Sequence, residues 1–203
     1  MIEVRPATPA DTEACARVLA RAFHDDPGTI VFEPDPDRRR MILPPFFRTW
    51  VTAAIADGGD LVVPVEAVDG VASWFGPELH GPSEAALTDA GFADVIEAFG
   101  PHASERMMAM VGEIEAQHAS RMSEPHLRLE FFGVDPDAQG RGIGVALAEH
   151  GHRRADTLGL SCYLETFTQR NVDFYEHRGY LVVATYHVGD GVPVYALRRE
   201  PGG

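Results

Sequence analysis

The chain has 203 residues, 45% hydrophobic and 24% charged, enough apolar material for one substantial core, expected as a single domain over residues 1–203. Seventeen Lys and Arg against 31 Asp and Glu leave a formal charge of −14, which argues against nucleic-acid binding because neutralising phosphates needs a positive surface. No apolar run reaches the length of a membrane span, Met1–Pro6 lacks a signal-peptide pattern, and Cys15 and Cys162 form no disulfide framework. A reducing, cytoplasmic setting without membrane contact is therefore expected. An acidic surface would draw a cationic small molecule, although solubility explains the charge equally well.

Ile2–Pro6 reads as a short strand. Thr8 and Pro9 have the form of an N-cap and first helical residue, and Cys15, Val18, Leu19, Ala22 and Phe23 follow at helical spacing until Asp25-Asp26-Pro27-Gly28 stops the run. Residues 37–56 are helical in pattern, but Pro44-Pro45 predicts two short helices with a kink. Leu61–Ala67 and Val71–Phe75 are strand-like and joined by a hairpin turn. Ser83–Phe99 and Ser104–Ala119 read as helices, His126–Val134 as a strand, Gly142–Leu158 as a helix and Leu160–Thr166 as a strand. Asn171–Arg178 is a short helix with Asn171 at its start. Tyr180–Val188 and Val194–Arg198 are the last strands, and Pro201–Gly203 reads as a loose tail. Hairpins mixed with crossovers predict an α/β (α+β) fold with a mixed, mostly antiparallel twisted sheet of about seven strands and flanking helices. Were Val194–Arg198 an edge strand, it could pair across a two-fold axis into a homodimer.

The segment Phe132–Ala146 carries the chemistry. An apolar strand runs through a turn into a helix whose first residues alternate Gly140, Gly142 and Gly144. Glycines let a ligand approach the main chain closely, and the unpaired N–H groups of a helix start attract an anion, most simply a phosphate or pyrophosphate. The spacing is wrong for the dinucleotide fingerprint G-x-G-x-x-G, because residue 145 is Val, and no Gly-Lys-Ser/Thr follows to make a lysine-bearing phosphate loop.

Gln139-Gly140-Arg141-Gly142-Ile143-Gly144 resembles the Q/R-x-x-G-x-G/A signature of the GCN5-related N-acetyltransferase (GNAT) family. Leu164-Glu165-Thr166 on the next strand agrees with it, and Asn171-Val172-Asp173-Phe174-Tyr175 through Gly179-Tyr180 resembles the family's N-x-x-x-Y-x-x-x-G-F/Y block. The likeness is close over residues 125–200, looser before them, and nearest in wording to puromycin N-acetyltransferase-like members.

The resemblance implies acetyl-CoA as cosubstrate. The amides of Gly140–Gly144 would hold its diphosphate, with Gln139, Arg141, Ile143 and Asn171 at hand, and the main chain of Phe132, Gly133 and Val134 would pair with the pantetheine amides once the strands at 126–134 and 160–166 splay apart. Gly133 is compatible with a bulge or with a close packing contact. Arg141 is either a contact or a solvated helix-start residue, and Asn171 a cofactor contact, an N-cap, or both. Tyr175 fits the general acid that protonates the departing thiolate, against the alternative of a core-edge tyrosine. Glu165, Glu130 or water would take the amine's proton. Trp50, Trp74 and Phe75 are candidates for the acceptor wall, and Met107, Met108, Met110 and Met122 for core or pocket.

The nine histidines show no ligand spacing, so no metal is expected. The implied activity is acetyl transfer to the primary amine of a small molecule in a ternary complex. The alternatives are a protein N-terminal or lysine acetyltransferase, which needs an open groove between residues 30–35 and the Gly189–Gly191 turn, and a non-catalytic acyl-CoA-binding module.

Overall fold

Alternating apolar residues and turn glycines produce strands β1 (Val4–Pro6), β2 (Asp60–Pro64), β3 (Gly70–Phe75), β4 (His126–Val134), β5 (Ser161–Thr166), β6 (Leu181–Val188) and β7 (Val192–Arg199). They form one sheet in the order β1-β2-β3-β4-β5-β7-β6. Every pairing is antiparallel except β4 with β5. The structure, a computed structural model, describes residues 2–202; Met1 and Gly203 lie outside the described residues. The helices are α1 (Thr12–Ala22), α2 (Pro27–Phe32), α3 (Pro36–Ala56), α4 (Glu84–Asp89), α5 (Phe92–Phe99), α6 (Pro101–Arg121), α7 (Ile143–Leu158) and α8 (Gln169–Glu176). Among the described residues, no helix is long and apolar enough to cross a membrane.

The sheet separates two apolar layers. One face packs against α1, α2, α3 and α6 through residues such as Leu19, Phe47, Trp50, Met107 and Tyr163. The other packs against α7 and α8 through Trp74, Leu147, Leu164, Val172 and Tyr180. Gly151 of α7 shows how tight the second layer is, since a Cβ there would lie 2.0 Å from the Trp74 ring.

Several expectations give way to tertiary structure. The run Asp25–Gly28 ends one helix but also starts α2, with the Asp26 side chain accepting from Gly28 N at 2.9 Å and Pro27 in the first turn. Helix α3 continues through Pro44 and Pro45 instead of splitting. The prolines free the carbonyls of Arg40 and Met41, both exposed to water, while buried Ile42, Leu43, Phe47 and Trp50 hold the two halves in line. Residues 83–99 form two helices because Gly91 adopts a φ of +81° between them. The short helix α8 is capped by Thr168, whose side chain accepts from Asn171 N, so Asn171 is its third residue and not its cap. Strand β7 is internal; β1 and β6 are the edges, so the two-fold pairing through Val194–Arg198 has no edge to use. Gly202, expected in a loose tail, donates its N–H to Asp156 at 2.7 Å.

Candidate active site

The parallel pairing of β4 and β5 lasts three residues, from His126 opposite Ser161 to Arg128 opposite Tyr163. Beyond it β4 stays on β3 as far as Val134 and β5 stays on β7 as far as Thr166, so the two strands part and leave a wedge. This is the expected splay. Asp135 N donates to Asp69 O on the β3 side. Main-chain groups alternate along a strand, so those of Val134 and Phe132 face the wedge. Gln139 Nε2 accordingly reaches Val134 O from that side at 3.4 Å.

Of the two readings of Gly133, the packing contact holds, and the bulge lies at Glu130. Ser73 faces Phe131 while Trp74 faces Leu129, which leaves Glu130 as the extra residue. Gly133 is regularly paired with Val71, and it is glycine because a Cβ would stand 2.8 Å from Ala22 Cβ of α1. The bulge changes the parity of β4: Leu127, Leu129 and Phe132 belong to the α7 layer, whereas Phe131 joins Phe23, Phe47 and Trp50 in the α1 and α3 layer. Arg128 and Glu130, two apart on the strand, share a face, with Arg128 Nε 3.1 Å from Glu130 Oε2.

A cavity of about 850 Å³ fills the wedge. Its first end is the loop before α7. Gly140 and Gly142 hold φ of +78° and +85°, which only glycine adopts without strain, and nothing lies within 4 Å of where their Cβ atoms would stand. Helix α7 has no side-chain cap, and among the described residues no backbone carbonyl in a turn or cap accepts from the amides of 139–145. These donors are therefore free for an anion, which fits the diphosphate of coenzyme A. Arg170 adds a cation there and donates to Gln139 Oε1 at 3.2 Å. Gly144 lies near Phe132, 3.3 Å from a built Cβ. Ile143 is buried behind the loop. Arg141 turns away, donating to Asp137 O at 2.9 Å, and does not line the cavity. Asn171 lines it but uses its side-chain amide to donate to Thr166 Oγ1 at 2.9 Å.

Tyr175 lies in the wall between the two ends, 5% exposed, against Phe132, Phe174 and Tyr180. Burial pushes its phenol well above the ordinary range and Arg178 opposes this, so the proton stays on at neutral pH.

The far end is acidic. Arg128, with its side chain 5% exposed, is surrounded by Glu115 Oε1 at 2.7 Å, Glu130 Oε2 at 3.1 Å and Glu165 Oε2 at 3.5 Å. Three carboxylates around one guanidinium give this end a formal excess of two negative charges when all are ionised. Their environments differ. Burial pushes Glu130 up to about 7 against the pull of Arg128, while Glu115, despite partial desolvation, is held down to about 2 by His118 and Arg128. Burial also raises Glu165, whose Oε1 is enclosed without a hydrogen-bond partner and whose side chain is 7% exposed. Glu130 keeps 23% of its side chain exposed. Asp26, pushed up to about 6 by burial, lines the same cavity.

The sequence singled out Glu130 and Glu165 but missed Glu115, Arg128 and Arg170, which carry no local motif. Trp50, Trp74 and Phe75 do not line the cavity; all three are core. Of the methionines, Met110 reaches the cavity, Met107 and Met122 are core, and Met108 is exposed. Cys15 and Cys162 are both buried and free.

The sequence profile of the acetyltransferase (GNAT) family matches residues 82–180. Mycothiol acetyltransferase from Propionibacterium freudenreichii is 31% identical over 116 residues, covering 53% of this chain and 37% of that protein. The chain spans about a third of the length of the curated relatives it matches, 37% and 32%. A crystal structure from Corynebacterium glutamicum, described as histone acetyltransferase HPA2 and related acetyltransferase, superposes with a TM-score of 0.73 at 26% identity, covering 100% of this chain and 98% of that one. The Drosophila melanogaster polyamine N-acetyltransferase shares the fold, with a TM-score of 0.62 at 18% identity over 98% of this chain and 100% of its own. Seven-stranded sheet, glycine loop and sequence match together make the chain similar to acetyltransferases of the GNAT family.

Proposed function

We propose that this chain, as a single N-acetyltransferase domain over residues 1–203, moves an acetyl group from acetyl-CoA to the primary amine of a small, positively charged molecule by direct attack in a ternary complex. The observation that carries the reading is the wedge itself. One cavity joins a set of free amides and Arg170 at one end to a cluster of carboxylates at the other, with Tyr175 between.

Bound acetyl-CoA would supply an activated acyl carbon and a thiolate leaving group. The amides of residues 140–144 hold the diphosphate, and the main chain of Phe132 and Val134 aligns the pantetheine as an added strand, with the Val134 amide polarising the thioester carbonyl. Glu130 takes the proton from the incoming ammonium, directly or through a water; its position on the bulge, exposure and value near 7 suit a base at neutral pH better than the enclosed Glu165. Nitrogen attacks the acyl carbon, the carbon–sulfur bond breaks as Tyr175 gives its proton to the departing sulfur, and the second proton shed by the acylated nitrogen returns through water to the Tyr175 oxygen. Glu115 and Glu165 hold Arg128, and the remaining negative charge favours a cationic acceptor.

One contact supports a small acceptor: Gly189 packs so near Val31 that a Cβ would stand 2.8 Å from Val31 Cγ1, which narrows the space between residues 30–35 and the turn at 189–191. Polyamines, named for the Drosophila structure, belong to the favoured class, and so does an aminonucleoside such as puromycin.

Thiol release from acetyl-CoA across diamines, monoamines, puromycin and lysine-containing or free N-terminal peptides tests the reading. Turnover with a small cationic amine supports it. Turnover confined to peptides overturns the acceptor, and coenzyme A binding with no thiol release on any amine supports the non-catalytic module.

A further inference from the structure

Three histidines that no spacing in the sequence connects converge behind the acidic end of the cavity. His80 lies in the loop after β3, His118 in the last turn of α6, and His126 opens β4. One ring nitrogen from each lies within 4.8 Å of the others. His118 and His126 are buried, and the two Nε2 atoms are 2.8 Å apart.

The proton positions follow from the partners. His126 Nδ1 lies 2.8 Å from Glu124 O, and a carbonyl can only accept, so Nδ1 carries the proton and Nε2 presents a lone pair to the cluster. His118 Nε2 must then donate to it. A hydrogen bond from ligand imidazole to a backbone carbonyl is the usual outer support of a metal-bound histidine. His118 Nδ1 accepts from Arg128 Nη1 at 3.4 Å, with Glu115 Oε2 3.8 Å away. Moving one proton within the ring, from Nε2 to Nδ1, frees Nε2 for a metal once the Arg128 N–H turns aside and Glu115 takes the new N–H.

His80 supplies the independent observation. Its Nε2 is buried and has no hydrogen-bond partner, an arrangement that costs free energy unless something occupies the lone pair. The ring stacks on His126 at 4.3 Å and 18°, and bringing its nitrogen onto a shared ion needs a tilt of the loop side chain. The Arg128 charge nearby is outweighed by Glu115, Glu130 and Glu165.

We propose that His80, His118 and His126 form a zinc-type divalent metal site that ties the loop after β3 and the end of α6 to the start of β4. Three imidazoles suit Zn²⁺, with water in the fourth position. The site is separate from acyl transfer and touches it through Glu115, which serves both His118 and Arg128.

The test uses the full chain without a histidine tag, stripped with a chelator and titrated with Zn²⁺ in competition with a chromophoric chelator. One equivalent should bind and raise the melting temperature. His80→Ala, which removes a loop side chain without a hydrogen bond, should weaken binding by more than about 100-fold, beyond the loss typical of an outer partner alone. His102→Ala, on the exposed face of α6, should not. Co²⁺ added to the unmutated chain should give a tetrahedral visible spectrum, which decides the matter even if His80→Ala fails to fold. Absence of saturable binding, unchanged affinity in a folded His80→Ala, or an octahedral Co²⁺ spectrum would overturn the site.

Discussion

At one end of the cavity the loop 139–145 offers main-chain amides from consecutive residues; at the other, Glu115, Glu130 and Glu165 gather round Arg128 from α6, β4 and β5. The first end needs only glycines at the right φ and a helix that starts uncapped. The second needs three elements in register, a bulge at Glu130, and an arginine whose charge offsets the repulsion among three carboxylates. A grip built from backbone is local and transferable to any acceptor. Recognition built from side chains depends on the packing of the whole sheet, so relatives that share the loop are free to differ in what they acetylate.

Substitutions at each end should separate the two. Tyr175→Phe, between them, should lower turnover by roughly 10²- to 10⁴-fold, the range for losing a general acid, while calorimetry finds coenzyme A affinity unchanged. Equal turnover would mean that another group or water protonates the sulfur. Glu130→Gln should cost about 10²-fold and remove the rising limb near pH 7 from the profile of kcat/KM, whereas Glu165→Gln should leave that limb in place. A limb that survives Glu130→Gln assigns the base elsewhere.

Gly142→Val forces a branched residue into a φ of +85°, at a cost of about 1–2 kcal/mol, so coenzyme A should bind roughly tenfold more weakly with the acceptor KM unchanged. Arg170→Ala should weaken coenzyme A by no more than about fivefold, less in high salt, because an exposed pair contributes little.

The acidic end also makes a stability prediction. Glu130 sits above its ordinary 4.5 in the fold, so the native state holds this proton more tightly than the unfolded chain does. Its contribution to stability is present below 4.5 and lost as pH rises through about 7. Melting temperature measured between these values should fall less steeply for Glu130→Gln than for the unmutated chain.

Legibility in the sequence follows the same division. Gly140, Gly142 and Gly144 between an apolar strand and an amphipathic helix were readable because a helix start exposes its amides whatever packs around it. The splay of β4 from β5 was expected only through the family resemblance, since no residue of either strand shows it alone. Gly133 was ambiguous, and only the approach of Ala22 showed that it accommodates α1 and that the bulge belongs to Glu130. Trp74 was equally undecidable until Gly151 was seen against its ring. Pro44 and Pro45 misled in the other direction, since local propensity predicts a break that burial of Leu43 and Phe47 overrides.

What the sequence determined alone is the strand, turn and helix that leave a run of amides uncapped, the tyrosine carried by the short helix after β5, and the α/β class of the sheet, all set by neighbours a few residues apart. Tertiary structure decided which carboxylates meet Arg128, that Val31 closes on Gly189, and that His80, His118 and His126 share one space. Those juxtapositions join residues far apart in the chain, and side-chain packing across the sheet brings them together.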